Sequence, residues 1–512
     1  MLQVKKLTIT HTKNLKILIE DLNFTLNEGD RAVIIGEEGN GKSTLLKLIY
    51  NKELVRSYID YTGEIVKNNT KLGYLAQELT SEQKDMSVSA YFSQIQGCFE
   101  TTPADLSLIA RQIGLSLEFF YSGQCIRTLS GGEKIKLQMA GILIEHPDVL
   151  LLDEPSNDID IETLEWLERF IISCKKPVLY VSHDETLIEK TANMIIHIEL
   201  VRRKTLPRNT VARMLYGHYI ERRLSKLAHQ KQVAVKEKSD FEKQQEKLQK
   251  IMQKVEHHQN AISRKDPHGG RMLKKKMKNV KSLEKRFEKE FENRTQIPDT
   301  EEAIMIMFDD DIGVPNGKTI LDFKKDRLYL GERLLSENIE LNIVGGRKIC
   351  IVGKNGVGKT TLLKKIAEEL LERRDIKASY MPQNYEEILD YDKTPVEFLS
   401  VTGEKYEVTK IKNYLGSVKY TTDEMERTVS EMSGGQKAKL LFMKMILEKS
   451  NVLILDEPTR NFSPISNPVI REVLKEYKGA IICVSHDRKF ISEVCDTVYR
   501  MTEKGLEMID FP

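Results

Sequence analysis

The sequence predicts an α/β protein with two tandem P-loop nucleotide-binding domains, joined by a long antiparallel two-helix, coiled-coil-like linker. Three observations predict it. First, Leu129-Ser130-Gly131-Gly132-Glu133, then Asp153-Glu154-Pro155, then His183 return downstream as Met432-Ser433-Gly434-Gly435-Gln436, Asp456-Glu457-Pro458 and His486. Ser130 to Ser433, Glu154 to Glu457 and His183 to His486 are each 303 residues apart. A repeat held in register across three separated motifs means two copies of one domain. Second, each copy carries a G-x-x-x-x-G-K-[ST] loop upstream. Third, the stretch between the copies carries apolar residues at intervals of seven. The expected boundaries are 1–205, 206–300 and 301–512.

Composition sets the limits. The chain has 512 residues, and at about 150 residues per domain this allows two to four domains with their own cores. Charged residues make up 30% and hydrophobic residues 40%, with a net charge of +2. Any affinity for nucleic acid must therefore come from a local patch. The six cysteines are scattered without a CxxC pair, which argues against a zinc site or a disulfide framework and fits a reducing compartment. The first residues lack the apolar core of a signal peptide. No apolar run approaches the roughly 18 residues needed to span a bilayer, so a cytoplasmic location with no membrane partner is expected.

In the first copy, the β-branched run Arg31–Ile35 leads into Gly36-Glu37-Glu38-Gly39-Asn40-Gly41-Lys42-Ser43 and then a helix start at Thr44. Glycines at these positions let backbone N–H groups close around phosphates; Lys42 can reach the terminal phosphates, and Ser43 can ligate Mg²⁺. Glu37 and Glu38 bring negative charge beside an anion site and are expected to face solvent. Gln77 follows a short strand and can touch both Mg²⁺ and the attacking water. Val149–Leu152 has the pattern of a buried parallel strand; it delivers Asp153 to the metal and Glu154 to polarise water. His183, after the strand Val178–Val181, can hydrogen-bond the terminal phosphate.

The second copy places Gly353, Asn355, Gly356, Val357, Gly358, Lys359, Thr360 and Thr361 around its own phosphates, with Gln383, Asp456, Glu457 and His486 in the matching roles. After the Asp-Glu pair the copies diverge. Asp160 in the first copy corresponds to Ser463 in the second.

The linker carries 22 Lys/Arg against 11 Asp/Glu between Glu221 and Thr295. Leu227, Ala234, Phe241, Leu248, Val255 and Ile262, then Leu273, Val280 and Phe287, form a heptad seam. Asp266–Gly270 supplies turn residues, which predicts a hairpin with its tip at about 263–271 and a first helix of about 60 Å. Basic residues crowd the tip: Arg264, Lys265, Arg271, Lys274, Lys275, Lys276, Lys278 and Lys281 fall within 18 residues. A phosphate backbone is the natural partner for such a cluster, and Arg264 and His268 could stack on or bond to bases of structured RNA.

The order phosphate loop, Gln, Ser-Gly-Gly, Asp-Glu, His resembles the nucleotide-binding domain of the ATP-binding cassette superfamily. The resemblance implies that the domains face each other head to tail with ATP and Mg²⁺ sandwiched between them. One site would then pair Lys42, Ser43, Gln77, Asp153, Glu154 and His183 with Ser433, Gly434 and Gly435. The other would pair Lys359, Thr360, Gln383, Asp456, Glu457 and His486 with Ser130, Gly131 and Gly132. Two cassettes and a basic helical linker resemble the ABC-F translation factors. In that family the implied partner is the bacterial ribosome, through large-subunit rRNA and P-site tRNA, and the implied state is a monomer whose own domains pair. The Thr-Arg-Asn-x-Ser-Pro run from Thr459 to Pro464, with the extended linker, resembles the antibiotic-resistance ribosomal protection branch. Its expected activity is ATP-dependent displacement of lincosamide, pleuromutilin and streptogramin A type drugs. A housekeeping factor for stalled ribosomes, the ATPase subunit of a drug exporter and a DNA-associated ATPase are the alternatives.

Overall fold

The computed structural model describes residues 1–98, 100–201, 205–261, 267–292, 308 and 312–511. The chain divides into two compact units, one formed by Met1–Tyr216 with Glu301–Pro512 and the other by Gly217–Thr300.

The first unit holds both copies of the repeat. In the first copy, β1 (Leu2–His11), β2 (Ile17–Leu26) and β4 (Ile59–Val66) form an antiparallel sheet in the order β2-β1-β4. A second, six-stranded sheet runs β5-β6-β7-β3-β8-β9. Its strands are β3 (Arg31–Ile35), β5 (Leu72–Leu75), β6 (Val149–Asp153), β7 (Val178–Val181), β8 (Met194–Leu200) and β9 (Leu206–Ala212). All neighbours in it are parallel except the β8–β9 pair. Every residue of β6 and β7 is buried, as expected for parallel strands covered on both faces.

The second copy repeats this plan. β10 (Thr319–Leu330) and β11 (Arg333–Val344) pair as an antiparallel ribbon. β12 (Lys348–Val352), β13 (Ala378–Met381), β14 (Val452–Asp456), β15 (Ala480–Val484), β16 (Thr497–Thr502) and β17 (Gly505–Ile509) form a sheet ordered β13-β14-β15-β12-β16-β17. In both sheets the strand before the phosphate loop lies between the strand leading to the His and the antiparallel edge. The loop and the Asp-Glu pair therefore emerge at the same, carboxyl end of the sheet, where open α/β sheets bind ligands.

Ser-Gly-Gly opens a 14-residue helix in each copy, Gly131–Ile144 and Gly434–Leu447. Both starts are capping boxes, Ser130 with Glu133 and Ser433 with Gln436. The serine accepts from the third helical N–H while the Glu or Gln reaches back to the serine N–H, which fixes where the helix begins.

In the second unit, one helix spans Tyr216–Ala261 and another Pro267–Glu292. At ~1.5 Å per residue, the 46-residue helix is about 70 Å long. The residues shielded from solvent follow the heptad seam: Ala234, Leu248 and Val255 are buried, and Leu227, Phe241, Leu273, Val280 and Phe287 are half-buried. Two boundaries differ from the sequence reading. Leu206–Ala212 pairs with β8, so this stretch closes the first copy's sheet and the helical unit begins at Gly217. Pro267–Gly270, expected as turn residues, form the first turn of the second helix, where a proline is tolerated because that N–H has no helical partner. Arg264 and Lys265 lie outside the described residues.

Backbone freedom is decisive at the two glycines that open the phosphate loops. Gly36 has φ 151 and a Cβ there would sit 2.1 Å from the Ile198 carbonyl oxygen; Gly353 has φ 153 and its Cβ would sit 2.6 Å from that of Met501. Gly36→Ala should therefore destabilise the first unit by about 2 kcal/mol or more through backbone strain and steric overlap. A thermal melt of the full chain should show this as a lowered midpoint, and an unchanged midpoint would contradict the close approach.

Candidate active sites

Each phosphate loop holds its lysine in the same way. Lys42 Nζ donates to the carbonyls of Gly36 and Glu37 at 2.9 and 3.0 Å, and Lys359 Nζ to those of Gly353 and Lys354 at the same distances. Burial lowers both lysine pKa values, while the carboxylates around them, Glu154 and Glu457 foremost, oppose that shift. The ammonium groups are thus positioned for phosphate by the backbone itself. Asn40 is buried and its side chain donates to the Ile198 carbonyl at 3.2 Å, which props the loop.

At the end of β6, Asp153 Oδ1 accepts from the Ser43 hydroxyl at 2.7 Å and Oδ2 from the Tyr74 hydroxyl at 3.1 Å. In the second copy, both carboxylate oxygens of Asp456 are buried and accept no hydrogen bond from the protein. The Tyr380 hydroxyl, the counterpart of Tyr74, is likewise buried without a partner. Burial raises the pKa of both aspartates, offset by the nearby Ser43 and Thr360 hydroxyls. A hydroxyl and a carboxylate converging beside a phosphate loop are hard oxygen donors that fit Mg²⁺, and the bare oxygens of Asp456 are what a divalent cation would satisfy.

Glu154 and Glu457 both sit in the left-handed backbone region, φ 50 and φ 52, a strained conformation for Glu that aims the side chain off the strand end. Their N–H groups remain tied to the next strand, to Val181 at 3.1 Å and Val484 at 2.9 Å. Gln77 Nε2 donates to Glu154 Oε2 at 3.0 Å. His183 Nε2 lies 3.5 Å from Glu154 Oε1, and His183 Nδ1 donates to the Phe462 carbonyl of the other copy at 2.8 Å. The counterparts are looser: Gln383 Nε2 reaches Asp158 Oδ1 at 3.4 Å, and His486 Nε2 stands 3.8 Å from Glu457 Oε1.

The copies meet head to tail. A cavity of about 890 Å³ is lined by Lys359, Thr360, Thr361, Gln383, Glu457 and His486 of the second copy and by Ser130, Gly131, Asn157 and Asp158 of the first. Asn355 Nδ2 donates to the Asp158 carbonyl at 2.6 Å, and Asn355 N–H approaches Asp160 Oδ2 at 3.5 Å. In the opposite direction, Gly435 N–H donates to Glu38 Oε2 at 2.5 Å. Glu38 therefore reaches across to the other copy while its side chain stays exposed, as the sequence suggested. Arg460 clamps Asp158 at 2.9 Å. Behind the sites, Arg471 pairs with Glu185 at 2.9 Å, and Arg488 with Glu168. Asp160 caps its own helix through Thr163 and still faces Asn355. Ser463 turns inward to Ser466 at 2.9 Å, so the two crossings are unequal.

Several contributors were not anticipated. Tyr74, Asn157 and Asp158 carry no motif beyond a polar residue near a strand end, while Leu330, Arg333 and Leu335 reach the cavity from the β10–β11 ribbon. Gly132 packs on Thr163, 2.4 Å from a Cβ built there, so it serves helix packing. The thiols of Cys350, Cys483 and Cys495 lie within 4.8 Å of one another, a convergence that the spacing concealed. Burial raises the pKa of Cys350 and Cys483, which favours the neutral thiol there.

The ABC transporter domain family matches residues 19–157 and 336–460, just over half of the chain. The chain belongs to the ABC transporter family. Among its relatives are members of the F group of that family. It is 26% identical to ABC transporter F family member 5 of Arabidopsis thaliana, over 96% of this chain and 73% of that protein. It is 29% identical to the ribosome protection protein VmlR of Bacillus subtilis, over 96% of this chain and 85% of that protein. Its fold is shared with the archaeal ribosome recycling factor aABCE1, at 17% identity and a TM-score of 0.59, covering 98% of this chain and 89% of that one.

The two Glu residues of this ABC ATPase are shifted in opposite directions. Burial pushes Glu154 up, but His183, Lys42 and Asn157 outweigh it and bring it down to about 2. Glu457 is pushed up to about 8 by burial, reinforced by Asp456. Burial also takes His486 down to about 3. A base must be ionised, so Glu154 is competent throughout the neutral range, whereas Glu457 gains its charge as pH rises through about 8. ATPase assays on single Glu→Gln variants should separate them. With Glu154→Gln, the remaining turnover should climb severalfold between about pH 7 and 9. With Glu457→Gln, it should stay flat over that range, and identical profiles would contradict the asymmetry.

Proposed function

We propose that this ABC-F ATPase works on the bacterial ribosome as a protection factor. In this reading it enters the tRNA exit site in its ATP-closed form and dislodges lincosamide, pleuromutilin or streptogramin A type drugs from the peptidyl-transferase centre. The observation that carries the reading is the similarity to a ribosome protection protein along 96% of this chain and 85% of that relative. The charge of the helical unit supports it. Arg271, Lys274, Lys275, Lys276, Lys278 and Lys281 are all exposed on the second helix, a surface suited to rRNA or tRNA phosphates. Similarity to a general F-family member over the same share of the chain favours the second reading, a factor that relieves stalled ribosomes. No described helix is long and apolar enough to cross a membrane.

In the proposed cycle, Lys42 and Lys359 bind the ATP phosphates, and Ser130–Gly132 and Ser433–Gly435 close on them from the other copy. Ser43 with Asp153, and Thr360 with Asp456, would hold Mg²⁺ beside Gln77 and Gln383. Bound there, the ion would neutralise charge on the phosphates. Glu154 and Glu457 orient water for attack, with His183 and His486 bonding the terminal phosphate. Hydrolysis removes the group that both copies grip, and the closed form opens.

Two outcomes test this. In cell-free bacterial translation inhibited by a lincosamide or a pleuromutilin, the purified protein with ATP should restore synthesis. No restoration against any peptidyl-transferase drug would favour the stalled-ribosome factor. The double variant Glu154→Gln/Glu457→Gln should sediment with ribosomes in ATP far more than in ADP, and equal pelleting would overturn the cycle.

A further inference from the structure

Glu38 and Asn355 hold the same place in their phosphate loops, third from the opening glycine, yet their side chains engage different groups. Asn355 donates to the Asp158 carbonyl, and Ser130 and Gly131 remain on the wall of the cavity that contains Lys359. Asn355 Nδ2 also comes close to the facing signature helix, 3.3 Å from a Cβ built on Gly131, but only Glu38 takes a backbone N–H of the helix it faces. Its Oε2 accepts from Gly435 N–H at 2.5 Å, and Cβ atoms built on Gly434 and Gly435 would come within 3.2 and 3.5 Å of that same oxygen. A carboxylate oxygen at the N-terminus of a 14-residue helix is favoured by the free N–H groups and the helix dipole. A terminal phosphate oxygen would be held there for the same reasons.

We propose that Glu38 is a built-in competitor for the terminal phosphate at the first site, and so lowers that site's preference for ATP over ADP. The proposal rests on Lys42 and Ser433–Gly435 forming one ATP site. ADP has no third phosphate and leaves the Glu38–Gly435 bond intact. ATP must displace a charge-assisted hydrogen bond, and its terminal phosphate then stands beside the displaced carboxylate. The second site, with neutral Asn355 in place of the acid, carries no such competitor. Glu38 is thus a specificity-determining residue through its charge, with no part in the hydrolytic step.

The test uses the full chain with Lys359→Ala, which silences the second loop, and measures displacement of a fluorescent ADP by AMP-PNP and by ADP. Adding Glu38→Asn or the near-isosteric Glu38→Gln should tighten AMP-PNP about five- to tenfold, equivalent to ~1–1.4 kcal/mol, and leave ADP within about twofold. A role in packing alone would shift both nucleotides together; that result, or no shift, would overturn the proposal. If the Lys359→Ala protein binds neither nucleotide while folded by circular dichroism, the first-site assignment itself fails, and the proposal with it.

Discussion

Neither phosphate loop is completed by its own copy. The signature helix that faces each loop comes from the other half of the chain, as the Gly435–Glu38 bond and the cavity shared by Lys359 and Ser130 show. The rest of the architecture serves this crossing. Capping boxes at Ser130 and Ser433 set the helix starts to the residue, so the amides that meet the opposite loop are those of Ser-Gly-Gly and not a turn further on. Buried strands β6 and β14 deliver Asp-Glu to the same edge. Ion pairs behind the sites, Arg471 with Glu185 and Arg488 with Glu168, tie the two copies together where solvent is largely excluded. Breaking one partner of such a pair leaves a buried charge uncompensated.

The sites share a plan but not an electrostatic state. Glu154 is bracketed by Gln77, Asn157 and His183, and that dense set of donors keeps it ionised despite burial. Glu457 has fewer donors, and burial wins. The difference begins in the segments after the Asp-Glu pair. The first copy supplies Asn157, whose amide bonds Glu154. The second supplies Arg460, whose guanidinium is committed to Asp158 across the interface. The same segment that joins the two copies therefore also separates their chemistry.

Much of this was legible in the residues. The 303-residue register of the motifs gave two copies of one fold, because a phosphate loop, a capping box and a buried strand ending in acids are local solutions that a sequence writes out in order. The heptad seam of the linker was equally local, and the buried residues Ala234, Leu248 and Val255 follow it. Its ends were not. Leu206–Ala212 is a strand because β8 offers an edge to pair with, and Pro267–Gly270 is helical although its residues favour turns.

By itself, then, the sequence determined the two copies of the fold and their order, since each motif is a few contiguous residues with one physical task. Only the tertiary structure decided that Glu38 bonds across the interface, that three scattered cysteines converge, and that burial and local donors shift Glu154 and Glu457 in opposite directions. These depend on side chains brought together from distant segments, and on burial that no local pattern reports.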